Sequence, residues 1–168
     1  MREFDRFDAV VNLFESWNIP LSGNTLLWEA SESGREIRGD PKTSPDWFKQ
    51  ELQEYLAKDQ SPEPLRENIL DFVRDVAARY KGRLTSFKMF NEPLHGDEYR
   101  GIFPNIWEDV FEVIRKADPE VELFINDYEI SSSDQGQCYL DLIQNVNFSC
   151  IGVQAHQKAG FVADIIHG

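Results

Sequence analysis

The chain has 168 residues, with 17 Lys+Arg against 30 Asp+Glu and a formal net charge of −13. That length suits one domain with a real core, and 41% hydrophobic and 12% aromatic content excludes a disordered acidic tail. The acidity excludes nucleic acid as a partner, because a phosphate backbone would be repelled; no apolar run approaches the roughly 20 residues of a membrane-spanning helix, so no membrane partner is expected.

In chain order, the start Met1-Arg2-Glu3-Phe4-Asp5 lacks the basic cap and apolar core of a secretory signal. Phe4, Phe7, Val11 and Phe14 recur at steps of three and four, which predicts an amphipathic helix ending near Trp17. Residues 24–28 read as a short strand, and 31–43 as the longest loop. Ser44-Pro45-Asp46 is a helix start, with a hydroxyl at the cap and proline in the first turn. Phe48, Leu52 and Leu56 follow it at four-residue spacing. A loop over 59–64 leads to a helix from about 63 to 80, with Leu65, Ile69, Phe72, Val73 and Val76 on one face. Lys81-Gly82 is its stop.

Residues 84–90 form the second predicted strand. A helix carrying Ile106, Val110, Val113, Ile114 and Ala117 then stops at Asp118-Pro119. The third strand spans 121–125, a last helix holds Tyr139, Leu142, Ile143 and Val146, and the fourth strand spans 149–153. Strands separated by helices need crossover connections, so the sheet should be parallel and the class α/β. No linker or repeat divides the chain, so 1–168 reads as one domain. Cys138 and Cys150 cannot form a disulfide framework. They leave a single bridge or two buried thiols, and the second is the expectation.

Each predicted strand ends in polar, chemically capable residues: Trp28-Glu29, Asn91-Glu92-Pro93, Asn126-Asp127-Tyr128 and Gln154-Ala155-His156. In parallel α/β folds the carboxyl ends of strands form the functional face, because their loops converge over a rigid scaffold. There is no Gly-rich phosphate loop, no serine elbow and no His-x-x-x-His pair, so neither a cofactor nor a metal is expected. His95 with Asp97 and Glu98 reads as solvated surface rather than as a metal site. Carboxylate, carboxamide, imidazole and indole remain, a set that suits carbohydrate: amides and imidazole bond ring hydroxyls, an indole stacks on a pyranose, and a carboxylic acid protonates a glycosidic oxygen. Asn126-Asp127-Tyr128 also has a structural reading, holding loops through side-chain-to-backbone bonds.

In this order and spacing, Asn91-Glu92, Asn126-Asp127-Tyr128 and Gly152-Val153-Gln154-Ala155-His156 resemble glycoside hydrolase family 10, the endo-β-1,4-xylanase family. Gly23-Asn24-Thr25-Leu26-Leu27-Trp28 is similar to its G-H-T-L-x-W strand, Pro45-Asp46-Trp47 to its P-x-W helix start, and Arg79-Tyr80-Lys81-Gly82 to its R-Y-K-G. Asn91-Glu92-Pro93-Leu94-His95-Gly96 looks most like the plant and invertebrate branches. The resemblance implies a partial TIM (β/α)8 barrel, roughly units three to six of eight, and a β-1,4-linked polysaccharide as partner. It implies Glu92 as general acid/base and Asn91 on the sugar 2-hydroxyl. Gln154 and His156 would stand beside the nucleophile, Trp28 beneath the sugar, and Asn24 and Tyr128 among the further sugar contacts.

This sequence departs from the family at Asn24, usually His, at Glu29, where His is common, and at Lys88, usually Asp. The family's nucleophile lies in a T-E-L-D-like segment on the strand after His156, and no such segment occurs among these residues. The expectation is therefore an incomplete barrel carrying the acid/base, with a non-catalytic sugar-binding or interaction unit as the alternative. Self-association through open sheet edges is expected, and an extracellular setting is expected of the family.

Overall fold

The computed structural model describes residues 4–28, 46–58, 61, 63–94, 98–128, 130 and 133–154. The loop 31–43, the Ser44-Pro45 helix start, Glu29, His95, Asp97 and His156 lie outside the described residues, as do the side chains of Phe48, Leu52 and Leu56. The elements are α1 (Asp5–Ser16), β1 (Ser22–Gly23), β2 (Leu27–Trp28), α2 (Asp46–Lys58), α3 (Glu63–Tyr80), β3 (Ser86–Asn91), α4 (Glu98–Ile102), α5 (Ile106–Ala117), β4 (Glu122–Tyr128), α6 (Ser133–Ile143) and β5 (Cys150–Gln154). The strands form one sheet in the order β1-β3-β4-β5, with β2 also against β3, and every pairing is parallel. The α/β class read from the sequence is the class observed.

Four details differ from the sequence reading. The strand expected over 24–28 is seen only at β2, which pairs with Phe90 and Asn91; β1 lies ahead of that span and pairs with Ser86 and Phe87, and between the two Leu26 N–H donates to Lys88 O at 2.9 Å. A side chain at Gly23 would meet the Phe87 ring at 2.6 Å, so only glycine allows that close approach. The third strand continues through Asn126, Asp127 and Tyr128, because these polar residues still pair with β5. The five-residue α4 is too short for an apolar period to announce it. Both cysteines are free and exposed rather than buried. On α6 the buried position goes to Tyr139, one residue past Cys138, and Cys150 is the exposed first residue of a strand with no fully buried position.

The core lies between the sheet and the helices α3 and α5. Leu65, Ile69, Val73 and Val76 of α3 and Ile106, Val110 and Ile114 of α5 are buried with Met89, Phe90, Leu123 and Ile125. Phe72, Val113 and Ala117, from the same predicted stripes, are partly buried at its border. The Phe90 ring sits 5.3 Å from Trp107 and 6.3 Å from Phe111, so strand β3 is seated on α5 by aromatic packing. Arg66 of α3 also donates to Asp109 of α5 at 2.5 Å. The two helix stops meet: Gly82, at φ +69°, donates its N–H to Asp118 Oδ2 at 2.7 Å. A left-handed residue after the helix explains glycine there.

Helix α1 buries only Val11 completely, while Phe7, Val10, Leu13 and Trp17 stay exposed. Polar ties to the end of α3 hold it in place. Asp8 accepts from Arg79 and, at 2.8 Å, from the Tyr80 hydroxyl, and Glu15 accepts twice from Arg83 at 2.7 Å. The Arg79 guanidinium holds the Asp8 carboxyl down at about 2, against an ordinary 3.8. A depressed carboxyl stabilises the fold above its unfolded pKa and loses that contribution as pH falls through the folded one. Thermal unfolding of Asp8→Asn should therefore show lower stability at neutral pH and a shallower loss between about pH 4 and pH 2 than the parent chain. Parallel acid limbs in the two proteins would overturn this assignment.

Candidate active site

The carboxyl ends of the strands meet in register. Trp28 pairs with Asn91, Asn91 with Asn126, Asn126 with Gly152, and Tyr128 with Gln154. Between Lys88 and Asn91 the β3 strand has one residue more than its partner, where Phe124 and Asn126 are two apart. An inserted residue resets the alternation of side chains, so Lys88 and Asn91 emerge on the same face. There Lys88 Nζ donates to Asn91 Oδ1 at 3.3 Å, and Gln154 Nε2 approaches the same oxygen at 3.5 Å. Gln154 Nε2 donates more closely, at 2.8 Å, to Glu92 Oε1. Gly152 permits this assembly, since a Cβ there would lie 2.8 Å from that of Asn126.

Glu92 has φ +56°, a backbone state that side chains other than Gly and Asn rarely take. Such outliers persist only where the surroundings hold them, and they concentrate at functional sites. Here Glu92 N–H donates to Asn126 O at 2.8 Å, and two residues on Leu94 N–H donates to Asp127 Oδ2 at 2.7 Å. Asp127 is fully buried, and its Oδ1 accepts from Tyr128 N–H at 2.7 Å. The turn after β3 is thus tied to β4 at two points, and it leaves the half-buried Glu92 carboxylate facing Gln154. Behind Asp127 stands Tyr139 of α6, whose hydroxyl has burial and the Asp127 charge pushing its pKa up.

The family model for glycosyl hydrolase family 10 matches residues 2–165. The chain belongs to glycosyl hydrolase family 10. An endo-1,4-beta-xylanase 5-like protein of Arabidopsis thaliana is 30% identical over 122 residues, which is 72% of this chain and 18% of that protein. A GH10 xylanase of Thermobacillus composti superposes with a TM-score of 0.67 at 25% identity, over 93% of this chain and 44% of its own. Xylanase 10B of Thermotoga petrophila, solved with xylobiose, gives 0.71 at 22% identity, over 92% of this chain and 45% of its own. The family 10 chain thus spans less than half of these solved structures and under a fifth of the plant relative. Its parallel sheet and helices form a partial TIM barrel.

Of the family 10 positions named from the sequence, the structure brings Asn91, Glu92 and Gln154 into one hydrogen-bonded cluster, with Tyr128 half-buried beside Gln154. The Trp28 backbone lies next to Asn91, and its side chain lies outside what is described. Asn24 is exposed and accepts from Thr25 Oγ1 at 2.8 Å; it makes no described contact with the cluster. Asp127, offered as part of a motif, is the anchor of the Glu92 turn. Lys88, noted only as a departure from the family, belongs to the cluster. Burial pulls its ammonium pKa below the usual lysine value, and the Glu92 carboxylate opposes that pull. A spacing of three along a regular strand places Lys88 and Asn91 on opposite faces, so nothing in the spacing alone exposes this pairing. Among the described residues no group of three or more His, Cys, Asp or Glu is placed to hold a metal ion.

Proposed function

We propose that this chain carries the acid/base half of a retaining glycoside hydrolase acting on β-1,4-linked, xylan-type polysaccharide. The observation that carries the reading is Glu92 itself, turned off the end of β3 in a left-handed backbone and hydrogen-bonded to Gln154 at 2.8 Å. Membership of family 10 and the xylanase names of its relatives support it. In this reading Glu92 protonates the leaving glycosidic oxygen, then takes the proton from the water that hydrolyses the glycosyl-enzyme. Asn91 donates to the sugar 2-hydroxyl, Trp28 lies beneath the ring, and Gln154 and His156 stand beside the nucleophile.

A retaining mechanism needs a second carboxylate about 5–5.5 Å from the first. Asp127 does not serve, because its two oxygens already accept from the Tyr128 and Leu94 amides in a fully buried position. No T-E-L-D-like segment occurs among these 168 residues, so a polypeptide of this sequence is expected to bind sugar with no turnover of its own. Titration of this 15N-labelled chain with xylotriose should perturb the side-chain amides of Asn91 and Gln154, and incubation with xylan should release no reducing sugar. A silent titration at both amides removes the sugar site. Turnover that disappears in Glu92→Ala would show that the nucleophile is within these residues.

A further inference from the structure

We propose that Lys88 is a positioning residue that sets which end of the Asn91 amide meets the sugar, an inference that rests on the sugar-site reading above. Lysine carries hydrogen-bond donors and no acceptor. The Asn91 atom facing it at 3.3 Å is therefore Oδ1, and the approach of Gln154 Nε2 at 3.5 Å enforces the same orientation. With Oδ1 held from two sides, both protons of Asn91 Nδ2 are left to donate, and they have no partner among the described residues. Asn91 is 5% exposed, so little room remains for water to turn the amide instead.

The β3 bulge brings Lys88 to this face, and the Glu92 carboxylate beside it favours the charged form of the ammonium. The side chain at position 88 thus decides the hydrogen-bond character of a residue that itself stands in the site.

The test is made on the 15N-labelled 168-residue chain with xylotriose as the probe. Without ligand, Lys88→Met is expected to move the Asn91 side-chain amide signals, and Lys88→Arg, which restores a donor, to return them toward the parent positions. Xylotriose affinity should fall by about three- to tenfold in Lys88→Met, the loss of one well-oriented hydrogen bond. It should not change further when Lys88→Met is added to Asn91→Ala, because the two residues act through one contact. Asn91→Asp keeps an acceptor for Lys88 but removes the NH2, and should bind as weakly as Asn91→Ala.

Asn91 signals indifferent to Lys88→Met would overturn the proposal. So would an equal affinity loss in the Asn91→Ala background, or parent-like binding by Asn91→Asp. A parent chain that does not bind xylotriose overturns the sugar-site reading, and the ligand-free comparison then still decides whether Lys88 sets Asn91.

Discussion

Replacing Glu92 by alanine in an enzyme carrying this chain is expected to slow xylan hydrolysis by about 10²–10⁴-fold, the usual contribution of a positioned general acid/base. The loss should depend on the leaving group. The xylose alkoxide is a poor leaving group and needs the proton that Glu92 supplies. An aryl xyloside departs as a stabilised phenolate, so formation of its glycosyl-enzyme should be far less affected. Hydrolysis of that intermediate then becomes slow, because no base remains to activate water, and it should accumulate as a burst. Azide needs no base, so it should restore turnover and yield the β-glycosyl azide. Equal losses on xylan and the aryl xyloside, with no azide rescue, would sink the acid/base role. The Gln154 bond at 2.8 Å makes Gln154→Ala a useful companion, since it disturbs the same carboxylate without removing it.

Asp127→Ala is expected to cost about 2–4 kcal/mol of stability, because two amides lose a buried charged acceptor at once. The Leu94 and Tyr128 amides each sit 2.7 Å from one carboxylate oxygen, and the side chain is fully buried. Asp127→Asn keeps one acceptor oxygen and should lose about half as much. Urea unfolding should show this as a shifted midpoint at constant slope. A change under about 0.5 kcal/mol for alanine would mean that both amides find other partners. The same substitution frees the turn that holds Glu92 at φ +56°, so residual folded protein should show an altered Glu92–Gln154 pairing.

Much of the architecture was legible because burial enforces periodicity. The Leu65, Ile69, Val73 and Val76 stripe and the Ile106, Val110 and Ile114 stripe are the buried faces of α3 and α5. The stops at Gly82 and Asp118 read as helix ends, and they bond to each other. Legibility failed where local geometry departs from a regular period. The first edge of the sheet is broken between Gly23 and Leu27, where Leu26 N–H alone bonds across to Lys88 O, and no local pattern encodes that break. The cysteines were misplaced because a residue type's average burial says nothing about the position beside it on a helix.

The sequence by itself determined the α/β class, the order of the longer helices and main strands, and the edge on which the polar residues gather, since these follow from period and from what ends each strand. It also determined the family resemblance, carried by motifs at the ends of strands. Only the tertiary structure decided which polar residues meet. One extra residue in β3 moves Lys88 to the face of Asn91, and a buried carboxylate on the neighbouring strand, at Asp127, holds the turn of Glu92. Both depend on pairing with β4, and register between strands is a property of the assembled sheet that no single segment contains.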